Sequence, residues 1–130
     1  MFTIKTSKQN KELVTALTNK LSLGAENLIA RLAFAYSLSL DRRLDLVAID
    51  DSKGKEYNSK VLFGEYIDYY VAMICVHYGL HKSDKDLSRY IKMHVDDGLQ
   101  LIIAETGDKN NITGVEFIID KIERGLKQLM

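Results

Sequence analysis

Leu21-Ser22-Leu23-Gly24-Ala25-Glu26-Asn27-Leu28-Ile29-Ala30-Arg31-Leu32-Ala33 is the stretch that sets the architecture of this chain. Ser22-Leu23-Gly24 breaks whatever precedes it, and Gly24 is the residue a turn needs where the backbone must adopt positive φ. From Ala25 onward, Leu28, Ile29, Leu32, Ala33 and Tyr36 recur at the spacing of one helix face, which predicts a helix to about Leu40. Upstream, Phe2-Thr3-Ile4-Lys5-Thr6-Ser7 alternates apolar and polar residues, as a short strand or extended arm does. Ser7 is placed to cap a helix from about Lys8 to Lys20, with Leu13, Ala16, Leu17 and Lys20 on one face. The order is arm, helix, glycine turn, helix.

Downstream, Asp41 to Ser59 is the least regular stretch, with Leu44, Leu46, Val47 and Ile49 suited to a short strand or a packed loop. Tyr57-Asn58-Ser59-Lys60-Val61-Leu62-Phe63-Gly64-Glu65-Tyr66 then opens a third helix that runs from Asn58 or Ser59 to Gly79. Its residues Leu62, Phe63, Tyr66, Ile67, Tyr70, Met73, Ile74, Val76 and His77 cover most of the circumference, the mark of a helix buried on several sides or of a subunit interface. Ser83-Asp84-Lys85-Asp86 resembles a capping box for a fourth helix ending near Gly107, in which Gly98 marks a kink or a close helix contact. Thr113-Gly114-Val115-Glu116 is a full capping box for a last helix through Leu129, with Phe117, Ile118, Ile122 and Leu126 in register. The expected fold is all-α: a compact single domain over residues 1–130, a bundle of about five helices with a short N-terminal strand.

Composition narrows the classes of function. The 130 residues are 46% hydrophobic and 28% charged, ordinary for a globular domain with a real core. Proline is absent, where usage of roughly 5% would give about six, and this fits a mostly helical chain. Cys75 is the single cysteine, so no disulfide can form within the chain, and the reducing cytoplasm is the expected compartment. Met1-Phe2-Thr3-Ile4-Lys5 lacks the apolar core of a signal peptide, and no run is long enough to span a bilayer. The net charge is zero but uneven: residues 1–60 carry a surplus of three positive charges and residues 61–130 a surplus of three negative ones. Any contact with nucleic acid is therefore expected from the N-terminal half.

No motif for catalysis stands out. Glycine-rich phosphate loops, nucleophile elbows, cysteine pairs and two-histidine zinc helices are all missing. His77 and His81 have a metal-like spacing, but Gly79 lies between them and ends the helix. His94 and Asp97, three apart, suit an oriented base or a metal, against the plainer reading of a helix-face histidine with an acidic neighbour. Asp50, Asp51 and Glu56 form a solvated loop, and the apolar surroundings of Cys75 make for an inert, packed thiol. The expectation is a protein with no catalytic residues, no metal and no cofactor.

Positive charge is the stronger signal. Lys5, Lys8, Lys11 and Lys20 face only Glu12 within residues 1–20, and Arg42, Arg43, Lys53, Lys55 and Lys60 form a second set. The plain reading of each is a solvated surface. An oligomer repeating them around an axis builds a field that the net charge hides. The arm-helix-turn-helix order also matches a ribbon-helix-helix reader, in which Thr3, Lys5 and Ser7 share one side of the strand and Ala25, Glu26 and Asn27 open the second helix. Glu26 is awkward there, since its carboxylate competes with phosphate for the same amides.

The Gly24 turn followed by Leu28 to Ala33, and Leu62-Phe63-Gly64-Glu65-Tyr66 before an apolar helix, together resemble the DndE family, the small subunit of bacterial DNA phosphorothioation systems. The likeness runs from about residue 7 to residue 103, and the tail after Thr106 looks like an addition. The resemblance implies a cytoplasmic, homotetrameric helical subunit that binds DNA without reading its sequence and prefers nicked duplex. It also implies partners, the other DNA sulfur-modification proteins, which carry the desulfurase, sulfur-transfer and ATPase chemistry of a system of restriction-modification type. Charge clustering places the expected DNA contacts on Lys5, Lys8, Lys11, Lys20, Arg42, Arg43, Lys53, Lys55 and Lys60. Phe63, Glu65, Tyr66 and Tyr70 are the expected oligomer interface, and Tyr66, Tyr69 and Tyr70 can alternatively stack on unpaired bases. The expected function is a non-enzymatic DNA-binding subunit; the alternatives are a ribbon-helix-helix transcriptional regulator and a pure protein-assembly subunit of the same complex.

Overall fold

The structure is a computed structural model that describes residues 2–106 together with residues 118 and 124. Strand β1 (Thr3–Lys5) leads into α1 (Lys8–Lys20), which a turn at positive-φ Gly24 joins to α2 (Glu26–Ser39). The irregular stretch that follows contains one 3-10 turn, Leu46–Ala48, and ends in β2 (Glu56–Asn58). Next come α3 (Ser59–Phe63), α4 (Ile67–Tyr78) and α5 (Leu87–Thr106). The two strands pair antiparallel, with Thr3 opposite Asn58, Ile4 opposite Tyr57 and Lys5 opposite Glu56. Ile4 and Tyr57 point inward, so the two-strand ribbon is stitched to the helical core through its middle pair.

The core is organised by α2 against α5. Ile29, Ala30, Ala33 and Phe34 of α2 meet Ile91, Val95, Leu99 and Ile102 of α5, with Val14 and Leu17 of α1 and Leu21 just after it closing one side. The two long helices touch at Gly98, where an added Cβ would lie 1.8 Å from the Ala33 carbonyl oxygen. The glycine anticipated as a close contact is one, and no side chain fits there. A second tie is polar. Asp96 Oδ1 accepts from the Ser7 amide at 3.1 Å and from Asn10 Nδ2 at 2.8 Å, while its Oδ2 takes Lys92 Nζ at 2.5 Å. Lys92 and Asp96 are both buried, and the carboxylate of α5 caps the start of α1. Ser7 holds the N-cap position, but its own hydroxyl makes no capping bond.

Three sequence expectations change. The third helix is not continuous: Gly64, at φ 61, breaks it into α3 and α4 with a 3-10 turn, Gly64–Tyr66, between. The break is held by Arg31, whose Nε donates to the Leu62 carbonyl at 2.8 Å and whose guanidinium lies against Gly64. The cap of α5 is made by Asp84, which accepts from the Asp86 amide at 2.8 Å, while Ser83 turns to His81. Finally, β1 pairs with β2 of its own chain instead of being held for a strand of a second copy, and Ser7 is buried instead of aligned with Thr3 and Lys5. The ribbon-helix-helix arrangement is thus not formed by this arm. The expected helix from Thr113 to Leu129 lies outside the described residues apart from Ile118 and Arg124, both helical. Arg124 bonds Glu105 at 3.2 Å.

Candidate nucleic-acid interface

Folding brings the two sets of lysines together at the ribbon. The loop before β2 is clamped to the arm: the Gly54 amide donates to the Thr6 carbonyl at 2.8 Å, and the Lys55 amide to Thr6 Oγ1 at 2.8 Å. The Thr6 amide returns a bond to the Lys55 carbonyl at 2.9 Å. Gly54 is required by proximity, since a Cβ there would sit 2.3 Å from the Ser7 carbonyl oxygen. Asp51 completes the clamp, its Oδ1 accepting from the Lys8 amide at 2.9 Å and the Lys53 amide at 3.0 Å. These two amides hold the Asp51 carboxyl below its ordinary pKa. Lys5, Lys8, Lys53 and Lys55, up to fifty residues apart in the chain, are presented by one rigid unit of strand, helix start and loop.

Their partners divide the expected contacts. Lys5 lies 3.8 Å from Glu56 and Lys55 lies 3.3 Å from Glu26, both exposed or half-exposed pairs that solvent largely screens. Lys8, Lys11, Lys53 and Lys60 are exposed and have no carboxylate within ion-pair distance among the described residues. Lys11 lies one helical turn beyond Lys8, and Lys60 borders the groove beside Thr3 and Asn58 at the other end of the ribbon. Three basic residues are engaged elsewhere. Lys20 is half-buried and donates to the Thr106 carbonyl, closing the C-terminal end of α5. Arg42 forks onto Asp97 at 2.7 and 2.9 Å, and Arg43 lies 3.8 Å from Asp41.

The residues weighed for chemistry form a closed network instead. The Leu44 amide donates to Tyr78 Oη at 3.0 Å, and Tyr78 Oη is 2.6 Å from His94 Nε2. His94 Nδ1 lies 2.8 Å from Ser37 Oγ, which donates to Asp97 Oδ2 at 2.7 Å. Because Ser37 Oγ gives its hydrogen to Asp97, the proton in the Ser37–His94 bond sits on Nδ1, and a neutral ring then accepts from Tyr78 at Nε2. Burial, and next the neighbouring His77, push its pKa down to about 4. Both ring nitrogens are used, so His94 has no lone pair to offer a metal. His77 approaches the Arg42 carbonyl and His81 the Ser83 hydroxyl, on either side of left-handed Gly79. No cluster of three or more His, Cys, Asp or Glu side chains among the described residues is placed to hold a metal ion. Cys75 is half-buried, and burial raises its thiol pKa.

The expected interface residues also separate. Phe63 is fully enclosed in the protomer, stacked on Tyr70 at 4.6 Å and packed on Phe34 at 4.9 Å, so it has no surface to give a partner. That placement corrects the expectation for Phe63 and leaves Tyr70 half-buried beneath the same stack. Glu65 and Tyr66 are exposed. Sequence reasoning missed Asp51, Asn10 and Asp96 as the residues that fasten the ribbon, because isolated polar side chains carry no periodic signal.

The fold and this site define a small helical domain that displays a lysine-bearing two-strand ribbon. The sequence profile of the family described as "DNA sulphur modification protein DndE" matches residues 3–110. The chain belongs to that family, which serves DNA phosphorothioation. The crystal structure of DndE from Escherichia coli B7A, involved in DNA phosphorothioation modification, is 21% identical with a TM-score of 0.62. The match covers 77% of this chain and 95% of that one. A DndE G21/24K mutant structure gives 22% identity and a TM-score of 0.64 over the same shares. No curated protein matches. Among the described residues no helix is long and apolar enough to cross a membrane.

Proposed function

We propose that this chain is a non-enzymatic subunit of a DNA phosphorothioation complex that positions duplex DNA through lysine–phosphate contacts. The observation that carries this reading is the convergence of Lys8 and Lys53 on Asp51, which makes one preorganised surface from two basic stretches. Lys11 and Lys60 extend it along α1 and past the ribbon, and Lys5 and Lys55 flank it with charges only loosely paired. Contacts of this kind recognise the backbone and not the bases. Homo-oligomerisation, the cytoplasm, a preference for nicked duplex and work beside the other sulfur-modification proteins belong to the same reading. Its rival is an assembly subunit without a DNA role, favoured by the exposed apolar side chains of α4.

The test is binding of the purified protein to matched intact, nicked and single-stranded DNA across a salt series. Lys8→Glu with Lys53→Glu should weaken binding at least tenfold and flatten the salt dependence. Lys20→Gln, at a lysine that donates to the Thr106 carbonyl at the end of α5, should leave the affinity unchanged. Absence of binding to any DNA at low salt would sink the positioning role and leave the assembly subunit.

A further inference from the structure

Where the ribbon meets α3 and α4, a groove of about 550 Å³ opens, a volume typical of clefts that hold small ligands. Phe2 and Ile67 form its apolar walls, Thr3, Asn58 and Ser59 its polar side, and Lys60 its cationic rim. No Asp or Glu of the described residues lines it. Its polar groups have bonding capacity to spare. Asn58 Oδ1 is taken by the Val61 amide at 2.8 Å, which leaves both N–H groups of the side-chain amide to donate. Ser59 is only 5% exposed, yet its hydroxyl has no hydrogen-bond partner among the described residues. A hydroxyl so enclosed is normally satisfied, and a polar ligand in the groove would satisfy it. Phe2 is steadied by Phe63, with ring centroids 6.1 Å apart and planes at 65°, and is half-buried, so part of its ring stays open.

We propose that this groove holds one unpaired nucleotide, its base against Phe2 and Ile67 and its phosphate on Lys60. The three kinds of wall match the three parts of that ligand. A base presents a flat face to an aromatic ring, and an edge of donors and acceptors to Asn58 and Ser59. Its phosphate supplies the negative charge that Lys60 has no carboxylate to provide. A bare phosphate would leave Phe2 and Ile67 unused. A purely apolar ligand would seal off the Asn58 amide and the Ser59 hydroxyl without partners, which is unfavourable. A nucleotide within a DNA strand is the favoured source, because Lys60 belongs to the lysine surface that grips the backbone. That choice of source rests on the DNA-positioning reading, whereas the chemistry of the groove does not. Stacking tolerates any base, so the groove would sense that a base is unpaired without reading the sequence around it.

Three DNA ligands test it on the full chain: a blunt duplex, the same duplex with one unpaired 3′ nucleotide, and that second duplex with the unpaired nucleotide abasic. The unpaired base should tighten binding about fivefold to a hundredfold over the other two, the range for one base stacked on an aromatic side chain. Phe2→Ala should bring the three affinities together, and Phe2→Tyr, which keeps a ring, should keep them apart. The abasic arm changes only the DNA, so it decides the point even where Phe2→Ala disturbs the fold. A fourth arm, free 2′-deoxyadenosine 5′-monophosphate followed by its proton resonances, separates the sources. Binding of the free nucleotide with no effect of the unpaired base in DNA would give the groove to a free nucleotide. Equal affinity for all three duplexes and no binding of the free nucleotide would overturn the proposal and leave the lysine surface standing. Absence of binding to every DNA would sink the positioning reading alone if the free nucleotide still binds, and both readings if it does not.

Discussion

His94 lies between Ser37 and Tyr78, and its neutrality has a cost that appears on acidification. The ring titrates at about 4 in the fold because burial penalises its charged form, against about 6.5 for a free histidine. The unfolded chain therefore binds a proton first, and stability falls as pH drops through the window between those values. From pH 7 to pH 5 the loss should be about 2 kcal/mol, read as a shift in urea midpoint. His94→Gln, which cannot titrate, should be less stable at pH 7 and lose the slope over that window. A flat wild-type profile, or a slope that survives the substitution, would contradict the neutral-ring assignment. His94 and Asp97 were visible in the sequence as a pair. What the spacing could not show was that Ser37 and Tyr78, from two other helices, would take up both ring nitrogens.

Elements were legible to the extent that their pattern is local. The bounds of α1, α2 and α5 follow from apolar spacing and from the Gly24 turn, and Gly98 stood out as a glycine that only a close helix contact requires. The α3–α4 break was hidden because Leu62, Phe63, Tyr66, Ile67 and Tyr70 keep helical spacing through Gly64, whose positive φ is held by Arg31 from α2. Three-residue β2 is too short for any alternation to register, and it exists because Ile4 and Tyr57 can be buried together. The join between α1 and α5 is likewise non-local, and it rests on one carboxylate. Asp96→Ala would leave the Lys92 ammonium buried without its partner and the Ser7 amide and Asn10 side chain without an acceptor. A loss of about 3–5 kcal/mol is expected, measured by urea unfolding. Asp96→Ala with Lys92→Met should recover a large part of it, since the uncompensated charge is then gone. A double variant no better than the single one would place the cost in the lost helix cap instead.

A molecule with zero net charge exerts no long-range pull on DNA, so any affinity must come from charges concentrated at one place. The fold provides that concentration by separating cations that are already satisfied from those that are not. Arg42 and Lys20 hold Asp97 and the Thr106 carbonyl, whereas Lys8, Lys11, Lys53 and Lys60 stand exposed with no carboxylate within ion-pair distance among the described residues. If each of those four neutralises one phosphate, the slope of log affinity against log salt should be about −3 to −4 per protomer, at about −0.9 per contact on duplex. Reversing Lys53 should lower the magnitude by about one, and Arg42→Gln should not change it. Titrations at several salt concentrations measure both. A slope near zero with retained affinity would mean that the ribbon is not the contact surface. A slope that falls with Arg42→Gln would mean that the guanidinium leaves Asp97 to reach DNA, and that the pairs in the free protein do not decide which cations bind.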